Sequence, residues 1–152
     1  MLDWSTLGSE FAQVLAAFAL ALPIAWEREH ADRSAGLRTF PLVAAASCAY
    51  VMIGVAIGSG TSGDVEARIV QGLMTGIGFV GGGAILKQAS VVRGTATAAS
   101  IWMTGALGAA VGFRRWELAI IISLMTVLTL RGGTLLGRRV RRAGGAREED
   151  PE

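Results

Sequence analysis

The chain has 152 residues, which at roughly 100–200 residues per domain makes one domain at most. Hydrophobic residues make up 52% and charged residues only 17%, where a soluble domain carries about 25% charge, and the mean hydropathy is +0.51. These values exclude disorder and an ordinary water-soluble domain, and a lone Cys48 excludes a disulfide framework, whereas the net charge of +2 decides little.

The charges are crowded into short islands. Between them lie uncharged runs at 11–26, 39–63, 69–86, 94–113 and 118–130, of 16, 25, 18, 20 and 13 residues. A bilayer core of roughly 30 Å takes about 20 helical residues. The pattern therefore predicts an all-α membrane bundle of about five transmembrane helices over residues 1–137. A charged cytoplasmic tail without fixed structure is expected at 138–152.

The first helix is predicted from about Thr6 to Trp26, with Trp4 and Trp26 at headgroup level. Met1-Leu2-Asp3-Trp4 has no basic n-region and Glu10 precedes the apolar run, so a cleaved signal peptide is not expected. The segment Trp26–Arg33 then holds three acids and the only histidine, His30. It reads as a solvated loop, as an ion-pair site through Glu27, or as a hard-cation site of carboxylate oxygens. Zinc is poorly served by one histidine without cysteine, and no metal is expected. Glu27 adjoins the apolar run and needs a partner; Arg38 is the first choice and Arg68 the second.

The third helix, about Arg68 to Leu86, is dense in glycine: Gly72, Gly76, Gly78, Gly81, Gly82 and Gly83. Small residues four apart let another helix backbone approach closely. Helix 4 offers a matching ridge in Ala96, Ser100, Thr104, Gly108 and Gly112. Helices 3 and 4 are thus expected to form the packed centre, with leucine harmful at Gly76 or Gly108 and tolerated at Gly132. Residues 76–81 also fit G-x-G-x-x-G, but no strand–turn–helix unit and no acid at the right distance support a nucleotide site. A helix break at Gly81-Gly82-Gly83 is the other reading.

Arg68, Gln71 and Thr75 share one face of helix 3. They read as an interfacial arginine with helix–helix hydrogen bonds, or as a polar strip lining a pathway. Thr95 and Thr97 would join that strip or cap helix 4. Helix 5 is rich in Leu, Ile and Val and is expected at the periphery, reaching Leu135 or Leu136 if Arg131 snorkels. Beyond it, Arg138-Arg139-Val140-Arg141-Arg142 would attract anionic lipid headgroups by about 1 kcal/mol per charge.

Alternate segments divide the 14 basic residues into 11 on one side and 3 on the other. The positive-inside rule then places the C-terminus in the cytoplasm and the N-terminus outside. No Ser/His/Asp triad, catalytic carboxylate pair or phosphate loop is present, so neither an enzyme nor a cofactor is expected. Nucleic-acid binding is not expected either, since the basic segment is short and lacks aromatic interleaving.

Several segments together resemble the MgtC/SapB family of bacterial membrane proteins. They are Glu27-Arg28, Ala35-Gly36-Leu37-Arg38-Thr39, Arg68-Ile69-Val70-Gln71-Gly72 leading into Gly76–Gly83, and Arg93-Gly94-Thr95-Ala96-Thr97 running on to Trp102. Their order matches from about residue 10 to 137. Phe40, Gly82, Ala96, Ala21 and Ala25 depart from the family's usual residues without breaking the pattern. The resemblance implies a multi-pass inner-membrane protein linked to magnesium homeostasis and, in pathogens, to virulence. It points to Glu27, Arg28, Arg38, Thr39, Arg68, Gln71, Thr75, Arg93 and Thr97 as functional polar candidates. The small-residue spacing read above makes Gly72, Gly76, Gly78, Gly81, Gly82, Gly108 and Gly112 the helix-packing candidates. The resemblance further implies a regulator of another membrane protein, the F-type ATP synthase being the partner the family suggests, with homo-oligomers also possible. Transport of magnesium, protons or another small solute is the alternative. Some members continue into a soluble C-terminal domain that this sequence does not show.

Overall fold

A computed structural model describes residues 3–31, 36–58, 64–88 and 91–145, with side chains except at 31, 86–91 and 134–145. Helix α1 spans Trp4–Ala31, α2 Thr39–Gly58, α3 Asp64–Gly83, α4 Thr95–Gly112 and α5 Trp116–Gly145. A two-stranded antiparallel hairpin, β1 (Leu86–Gln88) and β2 (Val91–Arg93), joins α3 to α4 with Leu86 opposite Arg93. The fold is an all-α bundle; α1, α2 and α5 are each long and apolar enough to cross a membrane. Trp4 and Trp26 are both exposed, 22 residues apart, or about 33 Å along α1.

Several boundaries differ from expectation. Before α1, Asp3 accepts hydrogen bonds from the Ser5 amide, the Ser5 hydroxyl and the Thr6 hydroxyl. These bonds hold its carboxyl below the usual aspartate range and start the helix before Thr6. Helix α3 begins at Asp64 and stops at the triple glycine, so Leu86 belongs to the hairpin. Helix α5 runs to Gly145, so residues 138–145 of the expected tail are helical and 146–152 lie outside the described residues.

Helix α4 is the hub and touches the other four helices. Its closest neighbour is α2, which lies parallel to it. A Cβ on Gly108 would overlap the Ala44 carbonyl oxygen, and one on Gly112 would lie 2.7 Å from Val51 Cβ. The centre of the bundle is therefore α2 against α4, not α3 against α4. Alanines make this closeness possible: Ala17, Ala21, Ala25, Ala44 and Ala110 are all in the core, with Phe40, Ile24, Leu107 and Val111 filling the spaces. The expected glycine seam of α3 is reversed along its first half as well. Ile69 of α3 fills the space over Gly54 of α2, and Ile77 fills the space over Gly105 of α4. The glycines that receive α3 lie on its neighbours.

At the α4–α5 turn, Arg114 adopts a left-handed conformation with φ 58. Its amide reaches the Val111 carbonyl and the Arg115 amide reaches the Ala110 carbonyl, which satisfies the last turn of α4. Helix α5 packs on α1 and α4 and turns Ile121, Leu124, Met125 and Leu128 outward.

Candidate functional site

Helix α1 is fixed to the bundle by polar side chains at three levels. Near its start, Gln13 is buried and its amide donates to the carbonyls of Val111 and Gly112 at 2.7 and 3.1 Å. At mid-height, the Ser123 hydroxyl of α5 donates to the Leu20 carbonyl at 2.8 Å. Near its end, the buried Arg28 guanidinium donates to the hydroxyl of Thr97 at 2.8 Å, and Thr97 is 1% exposed. An unmade hydrogen bond is costly in a dry interior, so each pair fixes helix register as well as adding energy. These pairs also set direction. Helix α1 runs antiparallel to α4 and parallel to α5.

The end of the bundle around Arg28 collects most of the sequence-derived candidates. Glu27 accepts from Arg131 Nε at 3.0 Å, with the Arg131 side chain mostly exposed and that of Glu27 22% exposed. Its partner is thus neither Arg38 nor Arg68. Glu27 stands one position before Arg28 and so about 100° round α1, which turns it to α5 where Arg28 turns to α4. Glu29 accepts the Leu37 amide at 3.0 Å and packs over Gly36, which shapes the approach to α2. The His30 ring nitrogen lies 2.8 Å from the Trp26 carbonyl. The start of the segment expected as a solvated loop is therefore helical as far as Ala31, held by specific contacts, and Arg28 within it is buried. Asp32 and Arg33 lie outside the described residues. Arg38 is exposed, Thr39 opens α2 with its amide on the Gly36 carbonyl, and Arg93 is exposed at the end of β2. Thr97 does not cap α4. The cap is Gly94, at φ 87, tucked under the Ala84 carbonyl where a side chain would have no room.

The second candidate set lies on α3, at the opposite end and along its outer side. Gly81 is the only residue of α3 that is fully buried. Gln71 and Thr75 are exposed, and the Thr75 hydroxyl donates back to the Gln71 carbonyl at 2.9 Å. Arg68 lies on the same helix face but lines a groove between α2 and α3. Gly78 and Gly81 sit against Trp102 and Ala98 of α4. Gly72, Gly76 and Gly82 have nothing within 4 Å of a would-be Cβ, so within this chain they are not packing glycines. The ridge expected to receive them turns elsewhere. Ser100 and Thr104 bond their own helix's carbonyls, and Gly108 and Gly112 face α2. Two apolar grooves flank α3. One of about 600 Å³ lies between α2, α3 and α4, and one of about 560 Å³ between α3, α4 and α5.

Two residues that the sequence reading passed over matter here. Gln13 is the one amide in the apolar run 11–26, and that isolation was the available signal. Arg131 was read only as an interfacial arginine, because nothing local links it to Glu27.

The signature of the MgtC family matches residues 14–139, which take in Arg28, Thr97 and the α3 polar set, the whole of α2 to α4 and most of α1 and α5. The chain belongs to the MgtC family. Among curated MgtC-like relatives, SrpB of Synechococcus elongatus is 41% identical over 90% of this chain and 79% of its own length. MgtC of Salmonella typhimurium is 33% identical over 85% of this chain and 53% of its own length. YhiD of Escherichia coli, named as a candidate magnesium transporter, is 37% identical over 77% of this chain and 56% of its own length. The chain thus spans most of SrpB but about half of MgtC and YhiD. No solved structure matches it. Family and apolar helices together make this a membrane protein of the MgtC type.

Proposed function

We propose that this MgtC-family chain is a non-enzymatic regulator in bacterial magnesium homeostasis, acting on another membrane protein through helix–helix contact. It would lie in the inner membrane with its C-terminus in the cytoplasm. The magnesium link rests on the names and family of its relatives. The mode of action rests on one observation, the outward side of α3. That side presents the Gln71 amide, the Thr75 hydroxyl and Phe79, which is 85% exposed, beside Trp102 of α4. Among the described residues the Gln71 amide has no hydrogen-bond partner. An amide facing hydrocarbon gains from a partner helix, and an aromatic beside it adds contact area. Most buried polar groups, by contrast, are engaged: Gln13, Arg28, Ser100, Thr104, Ser123 and Thr126 all donate to groups of this chain. That arrangement suits a fixed bundle better than a conducting one.

The family's suggested partner, the F-type ATP synthase, gives the direct test. ATP-driven proton pumping is measured in inverted membrane vesicles with and without the chain. The expected result is a change in pumping that the Gln71→Leu/Thr75→Leu variant loses at equal membrane abundance. A parallel flux assay uses purified chain in liposomes. Saturable magnesium or proton flux there, with pumping unaffected, would replace regulation with transport.

A further inference from the structure

Along α3, Asp64, Arg68, Gly72, Gly76 and Val80 form one row at four-residue spacing. From Arg68 onward that row is one wall of the groove whose other walls include Tyr50 of α2 and Ile101 of α4. Gly72 and Gly76 open the wall, because nothing comes within 4 Å of where a Cβ would stand. The groove is lined mainly by apolar residues, with Ser47 and Tyr50 on the α2 wall and the exposed Arg68 as its only charge among the described residues. No carboxylate among the described residues pairs with it. From Arg68 to Val80 the helix rises about 18 Å, close to the roughly 15 Å of one leaflet's hydrocarbon. An extended hydrocarbon chain suits that length, and the cation at the mouth favours an occupant with an anionic head over an apolar helix. A cation at headgroup depth above an apolar slot of leaflet length matches the order of parts in a glycerophospholipid.

We infer that this groove holds a glycerophospholipid, with one acyl chain lying along Gly72 and Gly76 and the phosphate on Arg68. The glycines of α3 then serve as a lipid slot. Phosphate binding by an exposed arginine alone is weak and screened. Shape must therefore supply affinity and the arginine orientation. The groove is on the α2 side of α3, so the inference is independent of the regulatory reading of the Gln71 and Thr75 side.

The test uses the full chain purified in detergent, with bound phospholipid counted by native mass spectrometry and melting followed after delipidation. The parent is expected to retain one phospholipid per chain and to melt several degrees higher when phosphatidylglycerol is returned. Gly76→Leu fills open space, so it should melt no lower than the delipidated parent while losing both the bound lipid and the lipid-induced shift. Arg68→Gln should keep an acyl chain but respond equally to phosphatidylglycerol and to diacylglycerol, which lacks phosphate. Inorganic phosphate alone should not move the melting point. A Gly76→Leu variant that keeps the lipid and its shift overturns the proposal, as does a parent that responds to phosphate without lipid. Disulfide trapping of two copies through Gly72→Cys in a Cys48→Ala background overturns it in favour of a second chain on this face.

Discussion

Helices α4 and α3 use glycine in opposite ways. Towards α2, Gly108 and Gly112 stand where a neighbouring backbone takes the room of a side chain, and the seam is closed. On α3, Gly72 and Gly76 have the same four-residue spacing and meet nothing, while α3 itself is held by Ile69 and Ile77 reaching into glycines of its neighbours. The motif is therefore permission for close approach, and the facing helix decides whether the permission is used. A small-residue ridge locates a candidate contact without saying which side contributes the gap and which the filler.

The sharpest way to break this contrast is Gly108→Leu. The side chain must displace the Ala44 carbonyl, so the bundle should lose about 3 kcal/mol or more while the chain still reaches the membrane. Melting like the parent would show that the seam lies elsewhere. Next in size is Gln13→Leu, which removes two hydrogen bonds to the end of α4 beside Gly112 and should cost about 1–1.5 kcal/mol in detergent melting. An unchanged melting point would mean that the closed seam does not need α1. Gly76→Ala should reverse the sign of the Gly108 effect. With open space and a helical backbone, it should gain up to about 1 kcal/mol, and a loss would show a hidden neighbour on that face. The smallest effect belongs to Glu27 and Arg131. Their double-mutant cycle should show a coupling of about 0.5 kcal/mol, reduced by solvent at the arginine, whereas Glu27 and Arg38 should be additive.

Much of this fold was legible from charge spacing alone. Uncharged runs of membrane length exposed the helices, and the tryptophans at both ends of the first run marked its depth. Small-residue ridges identified α4 as a packed element. What remained hidden were pairings between distant segments. Gln13 with Val111, Arg28 with Thr97, and Glu27 with Arg131 are each joined across 69 residues or more. A bilayer sequence shows no period that reveals which apolar face meets which, since lipid and protein interior favour the same residues. The choice of α3 as partner for α4 failed for that reason. Its glycines were counted and its isoleucines were not. The hairpin was missed because three-residue strands leave no pattern long enough to read, and the left-handed Arg114 because arginine is an unusual occupant of that position.

The parallel course of α1 and α5 has a consequence for building with this protein. In the membrane arrangement proposed above, a first and a last helix pointing the same way would put the start of α1 and the end of α5 on opposite faces of the bilayer. Two copies joined head to tail by a short soluble linker could not share one orientation. Either the second copy would insert inverted, or the linker would need an extra hydrophobic crossing. A tandem dimer with both copies in one orientation would then need an added transmembrane segment between them, and tags placed before α1 and after α5 would report from different compartments.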